Sequence, residues 1–341
     1  MRSVIVTKPY HYEIVEEEIP SRLAPDEVLV KLKAVGVCGS DIHIFRGENM
    51  MARYPVVLGH ENAGILCKTG TAVSRFHEGD RVVVEQTNFC GKCYPCSIGR
   101  SNVCEHLRVR GCTIDGGFRE YMVCKEQSLY ALPDSVSFVA GAMVEPFTIA
   151  AQCVNKISLV PEDTVLIFGV GTIGSTILQT CKIAGAKVIA ADIDPDNLER
   201  AAFYGADACV NPKDGELASL VQAVNGGKGV MAAIDAACFT GSLTQLLAPG
   251  VVCNAGRVLC LGFGNAPEGI SQSMLTGRDI TLFSSRLQCG RYPGVIENFL
   301  HNRYQLERLV TDVIPFGQID RVFENMKNPD PSVKKIVIVF D

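Results

Sequence analysis

The feature that most strongly limits the possible folds of this chain is a glycine-rich turn between an apolar strand and a helical segment. The run T-V-L-I-F from Thr164 is followed by G-V-G-T-I-G, and Asp192 ends the next apolar run. Glycines in this pattern permit a tight turn and a close backbone approach to a pyrophosphate at a helix N-terminus. An acid at the end of that next run, here Asp192, accepts hydrogen bonds from a ribose and repels a 2′-phosphate. Asp194 is an alternative for this role. We therefore predict an NAD site formed by Gly169, Gly171, Thr172, Ile173, Gly174 and Asp192.

Short apolar runs continue after this segment and alternate with helical stretches; they begin at Ala206, Gly229, Gly256 and Asp279. Such alternation predicts a parallel sheet with helices wound on both of its faces. We expect this doubly wound, Rossmann-type domain to span residues 151–286.

The N-terminal part of the chain has a different pattern. Residues 1–35 alternate in the manner of short strands, with Pro20 and Pro25 as breaks, which is typical of a β-rich domain. The chain ends in K-K-I-V-I-V-F-D, a predicted strand that can rejoin this first domain. We therefore assign residues 1–150 and 287–341 to one β-rich domain.

A cysteine, a histidine and a carboxylate lie in two glycine-flanked segments of the first domain. Cys38 lies in V-G-V-C-G-S-D-I-H, and His60 and Glu61 lie in L-G-H-E. These three side-chain types hold zinc while leaving a fourth position open for water or substrate. The alternative is a buried cysteine and a histidine that only pack. Glu145 is a further candidate ligand, because an unpaired carboxylate in an apolar segment is unfavourable; a helix N-terminal carboxylate ahead of Pro146 is its alternative.

Two side chains that can transfer protons follow Cys38 closely. Ser40 supplies a hydroxyl and His43 an imidazole, and together they could carry a proton from a substrate at the metal toward solvent. For Asp41, which lies between them, helix capping is the stronger interpretation.

Four further cysteines form the most specific motif of the chain, C-x2-C-x2-C-x7-C. Thiolates at this spacing enclose a tetrahedral zinc without an open position, so the ion stabilises structure. An iron–sulfur cluster is the competitor, but the usual Cys-Pro ending is absent. We assign a structural zinc to Cys90, Cys93, Cys96 and Cys104.

Composition limits the possible partners. The net charge of -5 and the scattered Lys and Arg residues argue against nucleic acid as a partner. The sequence shows neither a signal-peptide core nor an apolar run of about 18 residues, so we expect a cytoplasmic protein without a membrane partner. Fifteen cysteines in such a chain indicate metal ligation and buried thiols, the latter at Cys181, Cys209, Cys238, Cys253 and Cys260.

The order of these motifs, from Cys38 through the four-cysteine loop and Glu145 to the glycine turn, resembles the zinc-dependent medium-chain dehydrogenases of the alcohol dehydrogenase superfamily. The resemblance spans nearly all 341 residues. It is greatest in the sorbitol, threonine and galactitol-phosphate dehydrogenase branch. The pieces C-Y-P-C-S-I-G, I-D-A-A-C and F-S-S-R-L look most similar to bacterial starvation-sensing dehydrogenases, which resemble sugar-acid dehydrogenases.

The resemblance implies a GroES-like β-rich catalytic domain, a Rossmann domain, two zinc ions per chain and NAD. Cys38 and His60 are then direct ligands of the catalytic zinc, while Glu61 or Glu145 ligates directly or exchanges with water. Ser40 and His43 occupy the positions of the family's proton relay.

The implied reaction is NAD-dependent oxidation of a secondary alcohol in a polyol, a sugar acid or a related metabolite. Arg46, Glu48 and Arg286 are predicted substrate contacts, with solvated loop charge as the alternative. Rival interpretations are a zinc-free quinone-reductase-like enzyme and a sensor that binds NAD and a metabolite without turnover. Relatives are homodimers or homotetramers, commonly paired through the edge of the Rossmann sheet.

Overall fold

The structure is a computed structural model that describes residues 1–263 and 267–341. Its strands are β1 (Arg2–Lys8), β2 (His11–Glu16), β3 (Glu27–Gly36), β4 (Val56–Val57), β5 (Glu61–Thr69), β6 (Arg81–Val84), β7 (Thr87–Asn88), β8 (Arg108–Val109), β9 (Tyr121–Lys125), β10 (Leu129–Ala131), β11 (Thr164–Phe168), β12 (Lys187–Ala191), β13 (Ala208–Val210), β14 (Val230–Asp235), β15 (Val252–Cys260), β16 (Thr281–Ser284), β17 (Asp312–Pro315) and β18 (Ile336–Val339). Its helices are α1 (Gly39–Arg46), α2 (Tyr94–Ser97), α3 (Phe138–Ala142), α4 (Val144–Lys156), α5 (Thr172–Ile183), α6 (Pro195–Phe203), α7 (Leu217–Val224), α8 (Ser242–Leu246), α9 (Gln272–Thr276), α10 (Tyr292–Leu300) and α11 (Ile319–Lys327).

The chain forms two compact units. The first contains Met1–Glu145, Tyr292–Asn302 and Leu306–Asp341, and the second contains Pro146–Arg291 and Arg303–Gln305. Across the described ranges, no helix has both the length and the apolar content needed to cross a bilayer.

Most of the first unit is built on one mixed sheet with the strand order β10-β6-β5-β3-β18-β17, and β9 also pairs with β3. Its strand pairs are antiparallel except for β17 and β18, which run parallel. Alternating residues of β3 pack into an apolar core together with side chains of β5 and α11, among them Val30, Leu32, Leu66 and Phe323. Burying these branched and aromatic side chains is the main stabilising contribution in this unit.

The register of the central strands brings three segments together at one end of the sheet. Gly36, the last residue of β3, lies opposite both Glu61 in β5 and Val337 in β18. Cys38 therefore follows one of these strands closely, and Lys335 directly precedes another. The final strand rejoins the first sheet, as its apolar sequence predicted.

The second unit contains a parallel sheet of order β13-β12-β11-β14-β15-β16. Every residue of β11 is buried, which explains why this strand reads as a continuous apolar run. The strand order changes direction at β11 and β14, the type of position at which such sheets bind ligands. Helix α5 starts just after β11, so the glycine turn lies at this position. The predicted parallel sheet is confirmed.

One expectation about the apolar runs of this unit is wrong. Cys181 is buried in α5, but Cys209, Cys253 and Cys260 are half-buried and Cys238 is exposed. Cys238 follows the end of β14 in a turn with a φ of 54°, so it belongs to the loop and not to the buried strand.

Candidate active site and metal centres

Three potential metal donors converge in the first unit. One ligand atom each from Cys38, His60 and Glu61 lies within 4.8 Å of the other two. Cys38 is the N-cap of α1, and Glu61 is the first residue of β5. Thiolate, imidazole and carboxylate are the donor types that suit zinc, and a group of three leaves one tetrahedral position for another ligand.

Asp41 fixes the cysteine and histidine segments relative to each other. Its Oδ2 accepts a hydrogen bond from the backbone N–H of Cys38 at 2.8 Å, and its Oδ1 accepts one from Gly59 at 3.1 Å. The same Oδ1 lies 3.7 Å from His60 Nδ1. Asp41 is therefore not the N-cap of α1 but caps the helix from its third position, where its side chain accepts a hydrogen bond from the N-cap residue in a capping box. A carboxylate beside Nδ1 orients the ring and leaves Nε2 as the donor for a metal.

A buried lysine completes the surroundings of Glu61. Lys335 Nζ lies 2.5 Å from Glu61 Oε1 and donates a second hydrogen bond to the carbonyl oxygen of Val37 at 2.8 Å. The Lys335 side chain is 3% exposed and that of Glu61 is 0% exposed. The lysine thus links the residue before Cys38 to the carboxylate of Glu61.

The second oxygen of Glu61 supports metal binding at this group. Glu61 Oε2 is buried and has no hydrogen-bond partner among the described residues. A buried carboxylate oxygen without a partner is strongly unfavourable, and a bound cation would satisfy it. Space for this oxygen depends on Gly36, because a Cβ at that position would lie 1.8 Å from Oε2. The residues present therefore fit a zinc ion.

The charges around the group also favour a cation. Burial lowers the pKa of His60, but the charges of Asp41 and Cys38 outweigh burial and raise the pKa well above its usual value. Burial likewise lowers the pKa of Lys335, and Glu61 and Cys38 reverse the effect and raise it. Both raised pKa values reflect the negative charge of the neighbouring acidic groups, which a divalent ion can neutralise.

Glu145 lies in the first turn of α4 and is almost completely buried. Its Oε1 accepts a hydrogen bond from Gln86 Nε2 at 2.7 Å. Burial raises the pKa of the Glu145 carboxyl to about 7, and the charge of Glu61 acts in the same direction while His60 opposes it. Glu145 is not part of the three-donor group among the described residues, although it is close enough to respond to the charges of that group.

The predicted proton-relay residues lie on α1. Ser40 is half-buried in its first turn, and His43 lies one turn later with 62% of its side chain exposed. His43 Nδ1 and Glu48 Oε2 are 2.7 Å apart. Glu48, predicted as a substrate contact, is thus in contact with His43.

The two predicted substrate arginines have protein partners. Arg46 Nε donates a hydrogen bond to the carbonyl oxygen of Met326 at 3.0 Å, near the end of α11. The guanidinium of Arg286 lies over the ring of Phe263, 5.3 Å from its centre. The contact at α11 gives Arg46 a structural role, because a cation stabilises the C-terminal end of a helix.

The four-cysteine loop forms a second group of metal donors. Sulfur–sulfur distances of 3.4 Å for Cys93 to Cys96, 3.7 Å for Cys93 to Cys104 and 3.6 Å for Cys90 to Cys104 bring the thiols together. Zinc–sulfur bonds of about 2.3 Å in a tetrahedron place the sulfur atoms about 3.8 Å apart, so the loop fits zinc closely. Backbone N–H groups of Lys92 and Cys93 lower the pKa of the Cys90 thiol to about 6, whereas burial raises the pKa of the Cys96 thiol to about 12.

The glycines of the second unit have separate roles in the turn before α5. Gly169 has a φ of 89°, and a Cβ there would lie 2.6 Å from Ala237 N. A Cβ on Gly174 would lie 2.0 Å from the carbonyl oxygen of Gly169. A Cβ on Gly171, the N-cap of α5, would meet no neighbouring atom within 4 Å, so space remains there for a ligand. Thr172 and Ile173 form the first turn of the helix.

Asp192 faces this turn. Its Oδ2 accepts hydrogen bonds from Val170 N at 2.8 Å and from Asn197 Nδ2 at 3.1 Å, and its Oδ1 accepts one from Asp194 N at 2.9 Å. Asp194 instead caps α6, where it accepts a hydrogen bond from Asp196 N at 3.0 Å. This difference favours Asp192 over its rival as the acid that contacts a ribose.

Comparison with known proteins defines the class to which the fold and donor groups belong. Residues 24–134 match the alcohol dehydrogenase GroES-like domain, and residues 172–301 match the zinc-binding dehydrogenase domain. The starvation-sensing protein RspB of Escherichia coli K12 is 37% identical over 344 residues, covering 100% of this chain and 99% of the relative. Sorbitol dehydrogenase of Bacillus subtilis is 30% identical over 305 residues, covering 88% and 86%. The crystal structure of an alcohol dehydrogenase (rspB) from E. coli CFT073 with NADH superposes with a TM-score of 0.94 at 36% identity, covering 100% and 99%.

The chain belongs to the zinc-type medium-chain alcohol dehydrogenase family, in its polyol branch. It is an NAD-linked alcohol dehydrogenase with zinc and a nicotinamide dinucleotide as cofactors. The GroES-like and Rossmann-type fold expected from the sequence is confirmed.

Sequence reasoning missed several residues that surround the donor groups. Lys335, Gln86 and Tyr292 were not identified, and Asp41 was interpreted as a helix cap only. One signal was available for Lys335, because it directly precedes the apolar run I-V-I-V. A lysine next to such a strand either is buried with a partner or points its side chain to solvent. The positions of Gln86 and Tyr292 depend on contacts distant in the sequence and have no such signal.

Proposed function

We propose that this enzyme oxidises a secondary alcohol of a polyol, a sugar acid or a related hydroxylated metabolite to a ketone. The observation that carries the proposal is the group of Cys38, His60 and Glu61, in which a carboxylate serves as the third donor. The substrate class is supported by the similarity to sorbitol dehydrogenase of Bacillus subtilis.

The proposed site uses Cys38, His60 and Glu61 to hold the catalytic zinc, with Glu145 as the neighbouring carboxylate. Zinc, when bound, supplies a Lewis acid that makes a substrate hydroxyl easier to deprotonate. NAD, when bound, supplies the acceptor for the hydride that leaves the substrate carbon. The alcohol loses a proton from oxygen and a hydride from carbon, so the products are a ketone, NADH and a proton.

The released proton needs a path through side chains. We assign its transfer to Ser40 and His43, because the former is half-buried near Cys38 and the latter is exposed. Glu48 orients the imidazole through Nδ1, so Nε2 remains for exchange with Ser40 or solvent. Arg46, Glu48 and Arg286 are the proposed substrate contacts, and one or both arginines would suit a carboxylate or phosphate on the substrate.

We also propose a cofactor site at Gly169, Gly171, Thr172, Ile173 and Gly174, with Asp192 on the ribose. The open space beside Gly171 at the start of α5 suits a pyrophosphate. The second zinc is assigned to Cys90, Cys93, Cys96 and Cys104, where it stabilises the loop.

Metal analysis coupled to an activity screen tests the proposal. Protein purified without chelators is analysed for zinc, and NADH formation is followed with polyols, aldonates and their phosphates. Two zinc ions per chain with turnover are expected. A single zinc ion with no turnover on any member of the screen would contradict the enzyme assignment at this site.

A sensor without turnover is the second candidate, and the name of the 37%-identical starvation-sensing protein favours it. Such a protein would bind NADH and a metabolite yet form no ketone. Binding measured by cofactor fluorescence, in the absence of NAD reduction by any alcohol of the screen, would support the sensor.

The oligomer is proposed to be a homodimer or homotetramer. Strand β16 forms one edge of the parallel sheet, and three of its residues, Thr281, Leu282 and Ser284, are exposed. An open edge with exposed side chains is a ready pairing surface for a second copy. Light scattering coupled to size exclusion distinguishes a monomer from either oligomer.

A further inference from the structure

A chain of side-chain hydrogen bonds in the first unit leads from α10 to Glu145. Tyr292 OH donates to Gln86 Oε1 at 2.9 Å, and Gln86 Nε2 donates to Glu145 Oε1 at 2.7 Å. Tyr292 is 1% exposed, Gln86 is 0% exposed and Glu145 is 5% exposed. Buried hydrogen bonds of this kind are strong local constraints, because water cannot replace a lost partner.

The chemistry of the three groups fixes the direction of donation in this series of hydrogen bonds. The amide of Gln86 presents its NH₂ group to Glu145 Oε1, which is the orientation that the carboxylate form of Glu145 requires because that form only accepts hydrogen bonds. The amide oxygen then faces Tyr292, whose hydroxyl satisfies it as a donor. A rotated amide would place its oxygen against the carboxylate oxygen of Glu145, and that repulsion disfavours it; in the observed orientation the tyrosine hydroxyl holds the amide oxygen in place.

The two carboxylates near the donor group are consequently held in different ways. Glu61 is paired with a buried ammonium group at 2.5 Å, whereas one oxygen of Glu145 is bonded to a neutral amide. A neutral partner holds a carboxylate in place without neutralising its charge. The hydrogen bond from Gln86 thus restricts the orientation of the Glu145 carboxylate without adding a charge of its own.

We propose that Gln86 and Tyr292 are positioning residues, which orient Glu145 toward the metal site formed by Cys38, His60 and Glu61. Tyr292 acts through Gln86, and Gln86 acts through Glu145. The inference rests on the proposed function, because it assigns the orientation of a carboxylate beside the catalytic zinc.

The chain itself offers a matched control. The ring of Tyr130 stacks on that of Tyr292 with centres 4.6 Å apart and an angle of 5°. Its hydroxyl donates instead to Glu85 Oε2 at 3.0 Å. Tyr130→Phe and Tyr292→Phe therefore remove one hydroxyl each from the same stacked pair, and the second removes the hydrogen bond to the Gln86 amide.

The experiment uses three test proteins, which carry Tyr292→Phe, Gln86→Met or both substitutions. The Tyr130→Phe variant is the control. Each protein is loaded with Co²⁺ at the catalytic site, and its visible absorption bands are recorded along with kcat and KM for the best alcohol of the screen. Tyr292→Phe is expected to shift the cobalt bands and to lower kcat roughly fivefold to tenfold, the effect of losing about one buried hydrogen bond. Tyr130→Phe should keep the wild-type spectrum and a kcat within about twofold of wild type, since Gln86 keeps its partner.

The double variant tests the order of action. If Tyr292 acts only through Gln86, adding Tyr292→Phe to Gln86→Met produces no further loss. Additive losses, or equal effects of the two tyrosine variants, would overturn the proposal. The proposal would also be overturned if the Tyr292→Phe and Gln86→Met enzymes kept the cobalt absorption bands and the kcat of the wild type.

The positioning role of Gln86 and Tyr292 and the proposed dehydrogenase function can be tested separately. An active wild-type enzyme with unaffected variants would remove the positioning role alone. A wild-type protein that binds no metal at Cys38 and oxidises no alcohol would remove the function and the inference together. Circular dichroism of each variant verifies the fold, and Gln86→Met supplies an independent test if Tyr292→Phe does not fold.

Discussion

The ammonium nitrogen of Lys335 lies 2.5 Å from Glu61 Oε1, and both side chains are buried. Removing one partner of a buried ion pair leaves an uncompensated charge and costs about 3–5 kcal/mol. A zinc ion on Glu61 Oε2 would compensate part of that charge. Lys335→Met should therefore destabilise the protein strongly when the catalytic metal is absent, and less when it is bound.

A double-mutant cycle in urea unfolding measures this difference. Lys335→Met is introduced into the wild type and into a Cys38→Ser background, which lacks one metal donor but keeps the four-cysteine loop. The larger loss is expected in the Cys38→Ser background, and Lys335→Arg, which keeps the charge, serves as the control. An equal loss in both backgrounds would mean that Glu61 does not share its charge with a metal.

Cys38→Ser should by itself abolish alcohol oxidation, because a serine hydroxyl is a much poorer zinc ligand than a thiolate. The fold should persist, since the backbone N–H of residue 38 still bonds to Asp41. Metal analysis should show the loss of one zinc per chain, with the zinc of Cys90, Cys93, Cys96 and Cys104 retained. Wild-type turnover in this variant would remove Cys38 from the catalytic assignment.

Asp192→Ser should weaken NAD binding and relax the discrimination against NADP. The substitution removes the charge that repels a 2′-phosphate, so we expect the ratio of kcat/KM for NADP to that for NAD to rise by about tenfold or more. Steady-state kinetics with both cofactors provides the measurement.

Asp194→Ala is the matched control for the cofactor prediction. Asp194 caps α6, and its replacement should cost about 1 kcal/mol of stability with the cofactor ratio unchanged. A larger change in cofactor ratio for Asp194→Ala than for Asp192→Ser would reverse the assignment of the two acids.

Two buried thiols should be unreactive in the folded protein. Burial raises the pKa of Cys153 to about 12 and that of Cys124 to about 11. The thiolate is the reactive form, so at about pH 8 neither side chain should react with iodoacetamide until the protein unfolds. Peptide mapping by mass spectrometry, with and without denaturant, tests this; rapid labelling of either residue in the native protein would contradict it.

Local patterns in the sequence were sufficient to predict much of the fold and the donor groups. The four-cysteine loop and the glycine turn are each contained in short segments, so spacing alone indicates their geometry. Cys38, His60 and Glu61 were also predicted as a group, because glycines on either side suggested two converging turns.

The contacts around these donors depend on pairings that spacing does not encode. Lys335 reaches Glu61 only because β18 pairs with β3 in one particular register. Tyr292 reaches Gln86 across 206 positions of sequence. Glu48, predicted as a substrate contact, also lies against His43, because the loop after α1 turns back on the helix.

The register of β18 against β3 has a consequence for the order in which metal is acquired during synthesis. The four-cysteine loop contains all of its donors within Cys90–Cys104, so a nascent chain can load that site soon after the loop leaves the ribosome. The other centre has Cys38 and Glu61 early in the chain, yet the counter-charge of Glu61 arrives only with Lys335. We expect its zinc to be held firmly only after the last strand has paired, which makes catalytic competence a late event in the maturation of each molecule.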